Sequence, residues 1–412
     1  MKKLAIAGTF DTKGTEFAYL KQLAYDLGLK PYMIHTGVFA PKFTPDVSNA
    51  TIAAAAGYDI ATLVNRQDRA LATRALSQGM EKLLPQLYAA GEFDGIITCG
   101  GSGGTSLVAP AMRALPLGVP KVIVSTMASG DTSQYVGTSD IIMMPSIVDV
   151  AGLNKISTTI FKNAMLAIAG MLQLDATLPA SKEKTKPLIG ATMFGVTTPC
   201  VDYAKAYLEK QGYEVLVFHA TGTGGKTMEH LIKQGFFAGI LDLTTTEWCD
   251  EVCGGVLSAG PTRCEAAVAS QTPQVVSVGA CDMANFGPRA TVPPRYQDRN
   301  LYQHNPTVTL MRTNEVESTQ IGQELAQRWN QAQAPMKVLL PTQGVSMIDA
   351  PGQPFESLSA RAALFDAITG QLDNPLVTVE KVDHHINDQA FAEYAAQQLL
   401  QLIAAQTAKQ AE

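Results

Sequence analysis

The sequence has no basic excess. Its 31 Lys and Arg against 37 Asp and Glu give a formal charge of −6 and a pI near 5.6, and no Lys/Arg block forms a basic arm. That excludes a nucleic-acid partner held by charge alone. Long apolar runs are also missing. The run at the N-terminus lasts only from Leu4 to Ala7, too short for a signal-peptide core. "NAMLAIAGMLQL" is bounded by Asn163 and Asp175 and falls short of the ~20 residues a membrane span needs. The expectation is a cytoplasmic protein with no membrane partner. Cysteines are few and scattered: Cys99, Cys200, Cys249, Cys253, Cys264 and Cys281. Only "CDEVC" brings two together, and no second pair completes a zinc ribbon, so reduced, buried thiols are expected and no metal is assigned.

What is present is apolar residues, at 46% of 412, with only 17% charged. A chain of this length and composition forms well-buried cores in two domains. The polar stretch "LPASKEKTKP", Leu178 to Pro187, reads as a linker between a domain at 1–180 and another at 187–412. On both sides short β-branched runs alternate with longer helical patterns, the mark of parallel α/β architecture. The strand candidates are "LAIAG", "PYMIHT", "DGIITCG", "KVIVST" and "DIIMMP", then "LIGATMF", "EVLVFHA", "AGILDL", "PQVVSVG", "VTLMRT", "MKVLLP" and "LVTVEKV". The fold class is therefore α/β, two Rossmann-like domains with mainly parallel sheets. Glycines and small polar residues follow almost every strand, and in open parallel sheets ligands bind beyond the carboxyl ends. If the two edges face each other, they form one cleft.

Three loops have the composition of anion sites. In "CGGSGGTS", Gly100, Gly101, Gly103 and Gly104 let backbone N–H groups converge, Ser102, Thr105 and Ser106 add hydroxyls, and a helix start follows. In "GTFDTKG", Asp11 suits a magnesium ion or a ribose hydroxyl and Lys13 a phosphate, while Asp11 or Thr12 equally suits a helix cap. "HATGTGGKT" meets the looser Walker A pattern, with Gly222, Gly224, Gly225 and Lys226 as anion-binding groups and Asp242 of "GILDL" as a Walker B-like acid. It follows the second strand of its domain rather than the first, which favours a Gly-rich anion-binding turn over a true P-loop.

Candidate acids, bases and ligands are Glu247 in "DLTTTEW", Asp282 and Asn285 in "GACDMANFG", His304 in "YQHNPTVTLMRT", and His384 and His385 in "DHHINDQAF". A histidine oriented by Asp383 or Asp388 can serve as a general base. Asn387 or Asp388 alternatively caps the final helix.

The order "GTFDTKG", "CGGSGGTS", "ATGTGG…ME", "LDLTTTE", "GGVLSAGPTR", "GACDMANFG", "HNPTVTLMRT", "LLPTQGVSMID" and "HHIND" closely resembles uncharacterised protein family 0261 over nearly the whole chain. That family includes the inhibitor domain of the tomato mosaic virus resistance protein and is described as ATP-binding. The resemblance implies paired Rossmann-like domains, ATP binding and a homodimer, and the Asp11 loop adds magnesium as a candidate companion ion. In the family, "GTGG" followed by Met228 and Glu229 is typical, whereas the Lys-Thr of Walker A is not required. Two readings follow. One is an ATP-binding protein whose phosphates lie on Gly100 to Ser106, with Asp11, Thr12 and Lys13 nearby and Gly222 to Lys226 closing from the other domain. The other is an ATP-using enzyme acting on a small carboxylate or sugar acid.

Overall fold

The computed structural model describes residues 1–173 and 185–411, so 178–184 of the expected linker lie outside it. The chain divides into two compact units, Met1–Lys182 and Glu183–Glu412.

The first unit is built on β1 (Lys3–Gly8), β2 (Lys30–His35), β3 (Gly95–Gly100), β4 (Lys121–Ser125) and β5 (Ile142–Pro145). They lie in the order β2-β1-β3-β4-β5, every neighbour parallel. These strands read as nearly unbroken apolar runs because both faces are covered. Ala5, Ala7, Ile34, Ile96 and Ile123 pack under helices Asn49–Ala55, Ile60–Arg66, Arg69–Ala89 and Ser102–Arg113. Leu4, Ile6, Met33, Ile97, Val122 and Val124 pack under Gly14–Asp26 and Lys155–Leu172. Strand order reverses between β1 and β3, which opens a crevice beyond their carboxyl ends.

The second unit contains β6 (Leu188–Met193), β7 (Glu214–His219), β8 (Gly239–Thr244) and β9 (Gln274–Gly279), then β10 (Met283–Phe286), β11 (Leu301–Asn305) and β12 (Val308–Arg312), then β13 (Met336–Pro341) and β14 (Val377–Val382). The order β14-β13-β9-β8-β6-β7 is parallel throughout and reverses between β6 and β8. The strands β10-β12-β11 form a separate antiparallel sheet. "VTLMRT", grouped by sequence with the parallel strands, is β12 of that sheet. β10 and β11 escape a reading by apolar runs because one is four residues long and the other is mostly exposed. The doubly wound, mainly parallel α/β class is as the sequence indicates. Among the described residues no helix is long and apolar enough to cross a membrane.

Candidate functional site

In the first unit, the loops after β1 and β3 flank the crevice. Gly101, in extended conformation, is the N-cap of helix Ser102–Arg113 and has no side chain to cap it. The N–H of Thr105 bonds Gly101 O at 3.0 Å, whereas those of Ser102, Gly103 and Gly104 meet no acceptor among the described residues. Three open donors at the positive end of a helix attract an anion. The turn itself is fixed from behind. The buried Thr105 hydroxyl lies 2.8 Å from Gly101 O and 2.7 Å from Ser125 Oγ of β4. Ser102, Gly103 and Ser106 are exposed.

Arg69 stands over this turn. Its Nη2 lies 3.5 Å from where a Cβ on Gly103 would be, and it pairs with no carboxylate among the described residues. Its position follows from local structure: Gln67, at φ 51°, ends helix Ile60–Arg66, and Asp68 caps the next helix through Leu71 N at 3.0 Å, leaving Arg69 as its first residue. Sequence reasoning missed Arg69 because nothing local distinguishes it from any arginine at a helix start.

Asp11 and Lys13 are differently engaged. Asp11 accepts N–H groups from Thr12 at 2.8 Å and from Phe39 at 3.0 Å, tying the β1 loop to the β2 loop. Gly37 has no room for a Cβ, which would fall 2.2 Å from Asp11 Oδ1. The exposed Thr12 hydroxyl bonds Thr9 Oγ1 at 2.9 Å. The Lys13 ammonium donates to Val150 O, across the unit beyond β5. Beside the β2 loop lies a cavity of about 370 Å³ lined by Val38, Phe39, Ala40, Asn49, Ile60, Ala61, Val64 and Asn65.

In the second unit, the Walker-like turn encloses a carboxylate of the chain itself. Glu247 Oε1 accepts the N–H groups of Gly222 at 2.8 Å and Gly225 at 3.1 Å, and Oε2 accepts Arg263 Nε at 2.6 Å. Arg263 also forks onto Asp242 at 2.6 and 2.7 Å and touches Glu229 at 3.2 Å. All four are buried. Burial opposes the guanidinium's charge, but the Asp242 and Glu247 carboxylates outweigh it and hold the charge firmly in place. Burial pushes the Glu229 carboxyl up, against the pull of Arg263. The glycine spacing follows from packing. A Cβ on Gly224 would fall 1.9 Å from His219 O, one on Gly225 would fall 2.2 Å from Glu247 Oε2, and Gly222 sits at φ +83°. Lys226 is exposed, outside this network.

The remaining candidates occupy several places. Asp282 is buried, with Oδ2 accepting Ser346 Oγ at 2.8 Å and Oδ1 without a partner among the described residues. Burial and the nearby Asp349 push its carboxyl up to about 7, against Arg312. His385 Nδ1 accepts Asn387 N at 3.0 Å, so Nε2 carries the proton and donates to Ser346 O at 2.9 Å. Ser346 thus joins Asp282 to His385. The loop after β13 also bonds Val196, Ala280, His384 and Ile386, lacing the strand-end loops together. His384 is half-buried, 3.5 Å from Asp388, and His304 is exposed on β11. Asn285 is tied to the buried Asp250 through Nδ2 at 2.8 Å. No three His, Cys, Asp or Glu side chains gather as a metal site among the described residues.

Residues 2–177 match the model described as Uncharacterised protein family (UPF0261) N-terminal domain, and residues 186–403 match Uncharacterised protein family (UPF0261) C-terminal domain. A UPF0261 protein of Clostridium tetani is 47% identical over 403 residues, spanning 98% of this chain and 99% of that protein. The ToMV resistance protein Tm-1(GCR237) of Solanum lycopersicum is 44% identical over 337 residues, 81% of this chain but 45% of the tomato protein. Among solved structures, the S. aureus MnaA-UDP co-structure is similar at 10% identity with a TM-score of 0.24, covering 97% of this chain and 95% of that one.

Proposed function

The chain belongs to the UPF0261 family, and we propose that it is a nucleotide-binding protein whose first unit holds the phosphates of ATP at the turn after β3. The observation carrying this reading is the set of open N–H groups of Ser102, Gly103 and Gly104 beneath the unpaired Arg69 guanidinium. Backbone donors at a helix start with an arginine above them suit a phosphate in size, charge and donor number. The apolar cavity beyond β2 suits a base. It lies two strand spacings from β3, ~10 Å across the sheet. Asp11, whose oxygens also receive Thr12 and Phe39, lies between the two and suits a ribose hydroxyl. A magnesium ion accompanying ATP would neutralise phosphate charge, and the chain's contribution is the N–H donors of Ser102, Gly103 and Gly104 and the Arg69 guanidinium that position the phosphates.

Binding is favoured over turnover by one feature: Glu247, Asp282 and His385 are engaged in internal contacts, and His304 is exposed on the antiparallel sheet. A cytoplasmic homodimer belongs to the same proposal, with light scattering as its test. The nucleotide site is tested by calorimetric titration with ATP and magnesium. Gly103→Val sets a branched side chain over the open donors at a position where a Cβ meets nothing closer than 3.5 Å, so the fold tolerates it and binding is lost. Arg69→Ala weakens binding about 10-fold or more, the worth of one charge-assisted contact. Unchanged affinity in both variants refutes the site.

A further inference from the structure

We infer that the Gly222–Gly225 turn is an anion site whose resident anion is the chain's own Glu247 carboxylate, so that the second unit holds no external phosphate there. Both halves of the sheet-edge design recur in this unit: a strand order that reverses, and a Gly-rich turn leading into a helix, Thr223–Lys233. In the first unit the helix-start N–H groups are open. Here two turn N–H groups converge on one oxygen, and the other oxygen is held by a buried guanidinium.

Three observations argue for a permanent occupant. Glu247 is 1% exposed, so the carboxylate reaches the turn from inside the unit rather than across its surface. Gly225 is shaped around it, because any Cβ would overlap both carboxylate oxygens. Arg263 is shared with Asp242 and Glu229, so an incoming phosphate would have to displace a carboxylate from an arginine already encircled by acids. Its extra negative charge beside Asp242 would be repelled. The pattern that resembles a nucleotide loop in sequence is thus a turn that recognises a side chain. Its second consequence, one nucleotide per chain, rests on the first-unit reading; the carboxylate site does not.

The test uses the full chain. Glu247→Ala removes four heavy atoms, those of acetate, and leaves Gly222 N, Gly225 N and Arg263 facing the space. Acetate then raises the variant's melting temperature in proportion to the logarithm of its concentration, by roughly 5–10 °C at a hundredfold excess over its dissociation constant, and leaves the wild type unmoved. A folded variant that does not respond to acetate overturns the inference. Hydrogen exchange on the wild type supplies a readout without any substitution. The 219–227 segment keeps its protection unchanged on adding inorganic phosphate or ATP, and new protection there overturns the inference. If the wild type binds no ATP at all, the first-unit reading fails while the acetate experiment still decides this one.

Discussion

Asp282→Asn changes the pH dependence of stability in a direction fixed by the structure. The carboxyl is buried, and among the described residues Oδ2 meets the Ser346 hydroxyl while Oδ1 has no hydrogen-bond partner. Burial first, then Asp349, raises it from 3.8 to about 7. Between those two values the folded chain holds a proton that the unfolded chain has released, so the wild type loses stability as pH rises and levels off above about 7. Roughly three decades of proton affinity at ~1.4 kcal/mol each give about 4 kcal/mol. Asparagine is neutral throughout and still offers Ser346 an acceptor. The variant therefore matches the wild type near pH 4 and gains on it progressively, by up to about 4 kcal/mol at pH 8. Urea unfolding followed by tryptophan fluorescence measures this directly, because Trp248 and Trp329 both lie in the core of the second unit. A stability difference that stays flat from acid to alkaline pH refutes the argument that Asp282 is protonated in the folded chain.

Arg263→Met leaves Asp242, Glu247 and Glu229 buried without their shared cation, and costs about 3–5 kcal/mol in the same urea assay. Gly225→Ala forces a methyl into the Glu247 carboxylate and destabilises by about 1–3 kcal/mol, while Gly103→Ala in the first unit, with nothing closer than 3.5 Å, leaves the melting temperature unchanged.

The strands were legible because a parallel sheet covered on both faces needs unbroken apolar runs, and "LAIAG" or "KVIVS" can be little else. The sites were legible only as candidate loops. "CGGSGGTS" and "TGTGGKT" look alike in sequence because both are tight strand-to-helix turns, and glycine meets that demand whatever lies opposite. What lies opposite was decided by folding: an exposed face and Arg69 in one unit, buried Glu247 and Arg263 in the other. Lys13, a plausible phosphate ligand by spacing, turns instead to Val150 O, a partner set by β5. Sequence alone thus determined the architecture and the edge where polar loops gather, because periodicity and backbone freedom are local properties. Tertiary structure decided which turn is open and which is filled, because charge pairing and burial depend on residues brought together from distant parts of the chain.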